Sequence, residues 1–285
     1  MALISRDMCI GRTAVCAERR IMTELRIAHL SDLHVLRDYR GSALEGPPLR
    51  QILPPSAFFL AGLRQAVAER PDLIVLTGDL VHEGTEEDYA YLRELVEENA
   101  GGIPVLPVLG NHDFKACFYR GYLGQEKSGA YFYKYEQSGV RFLVLDTARE
   151  RCACGSISDQ QLDWLEEELK TPAPGGTILL GHHPLESRQA WFHTDCTERF
   201  CRILAESDAF AYLCGHAHYA EVRTVLGLRQ VTAESFAFGV ETVSPTEVIY
   251  TETRGYNTCW VEGRDLVVHP HQAFPFRPEI CRFAF

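Results

Sequence analysis

Nowhere in its 285 residues does the chain carry an apolar run of the roughly eighteen residues that would cross a bilayer as a helix. Nor does it hold any excess of positive charge: Lys and Arg number 28 against 39 Asp and Glu, a formal net charge of −11. A nucleic-acid polymer needs a clustered basic surface, so polymer binding and nuclease activity are disfavoured. A small anionic substrate is not excluded, because bound metal ions invert the sign of the local field. The ten cysteines form no C-x-x-C pair of the kind that holds structural zinc. Cys152-Ala153-Cys154 is a candidate redox or metal pair, but thiols of cytosolic proteins mostly stay reduced. Cys196, Cys201 and Cys214 sit in apolar patterns, as core residues do. Residues 1–21 lack a continuous apolar stretch and do not read as a secretory signal. The expectation is a disordered extension over residues 1–22, with Met22 as an alternative start, on a cytoplasmic protein. Internal repeats and low-complexity tracts are absent as well.

What the chain does contain is an ordinary globular composition, 46% hydrophobic and 24% charged. It also contains five short polar clusters: Asp32-Leu33-His34, Gly78-Asp79, Gly110-Asn111-His112-Asp113, Gly181-His182-His183-Pro184 and Gly215-His216-Ala217-His218. Each follows an apolar run, namely residues 26–30, 73–76, 105–109, 177–180 and 210–213. Such runs, rich in Ile, Val and Leu and bounded by Gly, read as buried strands. Open α/β sheets bind ligands at the carboxyl ends of their strands, so the clusters are expected to meet at one edge of a sheet. Because they span most of the chain, one domain is expected over residues 23–285.

Between the clusters the pattern alternates. A helical face with Phe59, Leu60, Leu63 and Val67 runs from Ser56 to Arg70. Thr85 caps a second helix to about Asn99, and Ser158 with Gln161 reads as a capping box for a third. Strand–helix alternation favours a mostly parallel core. Residues 131–135 and 140–146 read as a hairpin around Gln137-Ser138-Gly139. Beyond His218 short strand-like runs suggest a second, more antiparallel sheet packed on the first. Residues 35–55, 114–130 and 185–195 are long connections that each follow a cluster, and long loops beside a site form its walls.

The donors are two carboxylates, Asp32 and Asp79, the amide oxygen of Asn111, and the imidazoles of His34, His182, His216 and His218. That is too many for one four-coordinate zinc. It fits two ions about 3.5–4 Å apart, the arrangement used for in-line displacement at phosphorus, with one carboxylate shared. Imidazole and oxygen donors without thiolate suit Mn, Fe, Co, Ni or Zn. Each cluster alone has an ordinary structural explanation, such as a turn held by side-chain bonds at Asn111-His112-Asp113. It is the joint occurrence at strand ends that points to a site.

This ordered set of motifs resembles the calcineurin-like metallophosphoesterase superfamily. Over about residues 25–218 the chain is most similar to bacterial class III cyclic nucleotide phosphodiesterases and their glycerophosphodiesterase relatives. The resemblance implies an α/β fold, a two-sheet β-sandwich flanked by helices in four α/β/β/α layers. It implies that Asp32, His34, Asp79 and His218 hold one metal, and that Asn111, His182 and His216, with Asp79 as bridge, hold the second. His182 is preferred to His183 because it directly follows the glycine. His112 would face the phosphate as the catalytic acid or charge stabiliser. One departure stands out. Many members carry Gly-Asp-x-x-Asp, whose second Asp orients the catalytic histidine, and here that position is His82. Asp113 and Glu83 are candidate substitutes.

The expected substrate is a small phosphodiester, first a cyclic nucleotide, second a glycerophosphodiester. A phosphomonoesterase or protein phosphatase would share the core, and an inactive binding module would have lost these ligands. Among loop residues, Arg188 and the other loop cations are candidates for an anionic substrate, and Tyr119, Trp191 and Phe192 for stacking a base. Alternatively the aromatics are rim packing or the contact of a homodimer.

Overall fold

A computed structural model describes residues 24–45, 53–189, 191–244, 246–272 and 279–284. The extension expected over residues 1–22 lies outside them. Among the described residues no helix is long and apolar enough to cross a membrane.

The first half alternates as expected: β1 (Glu24–Leu30), α1 (Pro55–Ala68), β2 (Leu73–Thr77), α2 (Glu86–Asn99) and β3 (Val105–Val108). Thr85 caps α2 through a reciprocal box in which its own backbone N–H donates to Asp88 Oδ2 at 2.9 Å. The short α3 (Lys115–Cys117) runs into one π-helical turn, Phe118–Tyr122. Then comes the hairpin β4 (Tyr133–Gln137) and β5 (Val140–Val144). Its turn residues Ser138 and Gly139 have φ of 52° and 81°, the left-handed pair that matches strand twist in a two-residue turn.

The chain continues through α4 (Asp159–Leu169), β6 (Thr177–Leu180), α5 (Glu198–Ala205), β7 (Ala209–Cys214), β8 (Glu221–Val225) and β9 (Leu228–Thr232). It ends with β10 (Gly239–Ser244), β11 (Glu247–Thr251), β12 (Gly255–Glu262), β13 (Asp265–Gln272) and β14 (Glu279–Ala284). Only half of the expected capping box on α4 forms. Ser158 accepts from the Gln161 backbone, but the buried Gln161 side chain instead closes both backbone groups of Asp146, at 2.8 Å each. A backbone left unpaired at the end of β5 is a stronger claim on a buried amide than an exposed cap.

Two sheets face each other, one ordered β13-β12-β1-β2-β3 and the other β4-β5-β6-β7-β9-β8. The separate antiparallel sheet expected from the C-terminal strands is therefore corrected. β12 pairs antiparallel with β1, and β9 pairs parallel with β7, so these strands close open edges of both sheets. Only β10, β11 and β14 stand apart, as a three-stranded sheet.

Period-two alternation sorts each strand between two cores. Leu73, Val75, Phe142, Val144, Ile178 and Leu180 fill the space between the sheets. Ile74 and Leu76 point to the layer of α1 and α2, while Leu143, Leu179 and Tyr212 meet α4 and α5. Being covered on both faces explains why these strands are continuously apolar. This is the four-layer α/β/β/α arrangement expected.

Candidate metal centre

Every cluster begins where a strand ends, but the strands belong to two sheets. Asp32, His34, Asp79 and Asn111 follow β1, β2 and β3, while His182, His216 and His218 follow β6 and β7. The expectation of one sheet edge is corrected to the facing carboxyl edges of both. Hydrogen bonds stitch the two edges together. The His216 N–H donates to the Asp32 carboxylate at 2.9 and 3.1 Å, and His182 Nδ1 donates to Thr77 O at 2.8 Å. Within the first sheet, the His112 N–H donates to Asp79 Oδ1 at 2.9 Å.

These loops are strained. Asp32, His34, Asp79, His216 and His218 all have φ between 46° and 67°, the left-handed region that non-glycine residues avoid. Each such residue costs on the order of 1–3 kcal/mol and persists because its surroundings hold it. The glycines permit the close approach. A Cβ on Gly110 would lie 2.2 Å from Asp79 Oδ1, and one on Gly215 would lie 2.5 Å from Asp32 Oδ2.

The side chains converge in two groups. Donor atoms of Asp32, His34, Asp79 and His218 lie within 4.8 Å of one another, as do those of His182, His183 and His216. Asn111 Oδ1 is 3.1 Å from His182 Nε2. Asp79 Oδ2 stands between the groups, 3.7 Å from His34 Nε2 and 3.5 Å from His182 Nε2. His183 belongs to the second group as well, with its ring centroid 4.3 Å from that of His216, its Nδ1 held by Thr147 Oγ1 at 3.0 Å and its buried Nε2 without a hydrogen-bond partner among the described residues, so geometry alone does not separate it from His182.

His34, His182, His216 and His218 likewise each have one ring nitrogen engaged by an outer partner, which orients the ring and turns the other nitrogen inward. His182 Nδ1 is held by Thr77 O, His216 Nε2 by Ala153 O at 2.9 Å, and His218 Nδ1 by Phe238 O at 2.9 Å. His34 Nδ1 is held by His82 Nδ1 at 3.0 Å. Burial pushes His82 down to about 4, so it is neutral, and with its Nδ1 unprotonated it accepts a hydrogen bond from His34 Nδ1–H.

Burial opposes charge on Asp32 and Asp79, yet the surrounding imidazoles outweigh it and hold both carboxyls below their ordinary range. Burial keeps His34 and His216 neutral, the latter down to about 3. It would lower His182 too, but Asp79 and Asp32 lift that imidazole to about 9. Two buried ionised carboxylates beside inward-facing imidazole nitrogens suit cations, which would displace the proton that Asp79 and Asp32 favour on His182.

The two candidate supports for His112 separate. Asp113 turns inward, accepting from the backbone N–H groups of Leu80, Val81 and Gly110 and from Tyr89 Oη at 2.8–3.0 Å. Burial, with Asp79 adding, lifts it to about 6. Glu83 is the carboxylate beside the catalytic candidate, its Oε1 3.3 Å from His112 Nδ1, and Arg151 Nε donates to its Oε2 at 3.0 Å. His82, in the expected carboxylate position, stacks on His112 with centroids 4.6 Å apart. Asp113→Ala would strand four donors in the core. It is expected to cost about 3 kcal/mol or more, read as a lower denaturant midpoint.

A cavity of about 270 Å³ opens over these groups, lined by Asp79, Asn111, His112, His216 and His218. Of the loop candidates it takes in Phe192, whose ring lies 5.2 Å from His216. The other three do not line it. Trp191, with a φ of 72°, is 61% exposed and does not line the cavity. Tyr119 is buried against Phe118 and Tyr131, with its hydroxyl donating to Ala130 O. Arg188 is paired with Glu221 and lies over Tyr219. Lys115 and Arg120 are likewise engaged, with Asp146 and Glu86.

Missing from the sequence reading were Arg151, and Phe238, Val240, Val248 and Tyr250 from the C-terminal hairpin, all of which line the cavity. The alternation Phe238, Val240 and Val248, Tyr250 was an available signal.

Residues 25–220 match the calcineurin-like phosphoesterase family. The chain belongs to that family. Its activity class is therefore metal-dependent hydrolysis of phosphoesters, and the family's dinuclear metal requirement agrees with the clustered Asp and His side chains. It is 33% identical over 221 residues to a probable cyclic nucleotide phosphodiesterase of Rhodococcus erythropolis, covering 74% of this chain and 71% of the relative. It is 35% identical over 212 residues to a cAMP/cGMP dual specificity phosphodiesterase of Mycobacterium tuberculosis, covering 71% of this chain and 64% of that relative. The glycerophosphodiester phosphodiesterase GpdQ of Enterobacter lignolyticus is 31% identical over 208 residues, 69% of this chain and 70% of the relative. Among solved structures, a dimetal phosphatase from Danio rerio shares the fold, with a TM-score of 0.59 at 17% identity over 86% of this chain and 98% of the other.

Proposed function

We propose that this phosphoesterase cleaves small phosphodiesters, with a cyclic nucleotide first among them, using two transition metals such as Mn and Fe, with Zn, Co or Ni as alternatives. Asp32, His34, Asp79 and His218 would hold one ion, and Asp79, Asn111, His182 and His216 the other. The observation that carries this reading is the place of Asp79 Oδ2 between two groups of inward-facing donors. When bound, two such ions supply Lewis acidity and an activated water for displacement at phosphorus.

The protein's own groups do the rest. The oriented imidazole rings and the backbone bonds to both carboxylates preorganise the donors. His112, with Nδ1 toward Glu83, has Nε2 left to stabilise charge on the phosphoryl oxygens or to protonate the leaving alkoxide. Arg151 Nε binds Glu83 and its guanidinium stands at the cavity wall, where it adds positive charge for an anion. A glycerophosphodiester is the second substrate class, supported by the similarity to GpdQ.

A panel of cyclic nucleotides, glycerophosphodiesters and phosphomonoesters, assayed on the metal-loaded protein, tests the proposal. The diesters are expected to be turned over with higher kcat/KM than the monoesters. Preference for monoesters would replace the diesterase reading with a phosphomonoesterase.

A further inference from the structure

The cavity wall beside His218 comes from outside the matched family region, which ends at residue 220. β10 and β11 pair antiparallel, with Val240 opposite Tyr250 and Thr242 opposite Val248. Directly opposed residues share a face, and so do residues two apart on a strand. Val240, Tyr250 and Val248 therefore form one patch, and Phe238 leads into it. All four line the cavity. The Phe238 ring stacks on Tyr250 with centroids 4.4 Å and planes 20° apart, and lies 4.6 Å from the His218 ring. Its carbonyl holds His218 Nδ1, so the hairpin is registered directly against the metal centre.

Resting on the diesterase reading, we propose that this hairpin face is the subsite for a flat aromatic part of the substrate, a nucleobase, and that it makes a cyclic nucleotide preferred over a glycerophosphodiester. Glycerol and its polar head groups are strongly hydrated. Pressed against Phe238, Val240 and Val248 they would lose water without gaining hydrogen bonds. A base loses little there and stacks through its π-face. Among the four cavity-lining residues the Tyr250 hydroxyl is the one polar side-chain group, and Thr242 on the same face does not line the cavity, so recognition is by shape and stacking. Every base has a π-face, so adenine and guanine are accepted alike.

Tyr250→Ala and Phe238→Leu test the subsite, each checked for metal content. Two readouts are taken on the metal-loaded protein: the ratio of kcat/KM for cyclic AMP or cyclic GMP to that for glycerophosphoethanolamine, and the dissociation constants of AMP and ribose 5-phosphate by calorimetry. Tyr250→Ala is expected to lower that ratio about ten-fold for both cyclic nucleotides, and to weaken AMP about ten-fold more than ribose 5-phosphate. Parallel falls for all substrates, or equal weakening of AMP and ribose 5-phosphate in both variants, would overturn the subsite. A wild-type protein that cleaves no diester would overturn the diesterase reading instead, and the binding comparison would still decide the fate of the subsite.

Discussion

Asp79→Ala is expected to empty the site of both metals and to lower phosphoester hydrolysis by at least about 10⁴-fold. Asp79 Oδ2 is the donor that reaches toward both groups, and its Oδ1 takes the His112 N–H. One substitution therefore removes a ligand from each ion and loosens the loop that carries Asn111 and His112. Loss of a single preorganised electrostatic contact typically costs about 10²–10³ in rate, and here several go together. Asn111→Ala is the contrast. Its Oδ1 lies 3.1 Å from His182 Nε2, in the second group, so it should weaken one ion and leave the other. Equal metal loss in the two variants would remove the special place of Asp79.

His112→Ala is expected to keep both metals and the fold while activity falls about 10²–10⁴-fold. The imidazole is stacked on His82, lies 3.3 Å from Glu83, meets His34 edge-on with centroids 5.4 Å apart, and is partly open to the cavity, with no ring hydrogen bond to a candidate metal donor among the described residues. If it donates a proton, the loss should shrink for a good leaving group such as nitrophenolate. Equal losses across leaving groups would mean charge stabilisation alone. Glu83→Gln should cost about 10–100-fold, the worth of a hydrogen bond to a charged group, with the same leaving-group trend. Wild-type rates in His112→Ala would reject the assignment.

The seven candidate donors were legible because each cluster is contiguous with an apolar strand and four of the five are led by a glycine. Asp32, Asp79 and His216 need no distant information to be noticed. Their division between two sheets was not legible, since β2 and β6 are equally apolar and each is covered on both faces. Nor was the partner of His112. Glu83 reaches it through a left-handed φ of 51°, and backbone conformation of that kind leaves no mark in residue type. The substrate wall was misplaced for a related reason. Trp191 and Phe192 are neighbours in one loop, yet only the second lines the cavity. The loop pattern marked a wall but could not say which of two adjacent rings faces inward. Phe238 and Tyr250 carry no motif, and it is the fold of the β10–β11 hairpin that brings Tyr250 onto Phe238 and Phe238 onto His218.

Elemental analysis of the purified protein, titrated with metal while diester hydrolysis is followed, tests the account most directly. Activity is expected to saturate at two transition-metal ions per chain. Full activity at one ion per chain, with no further gain on adding metal, would contradict it.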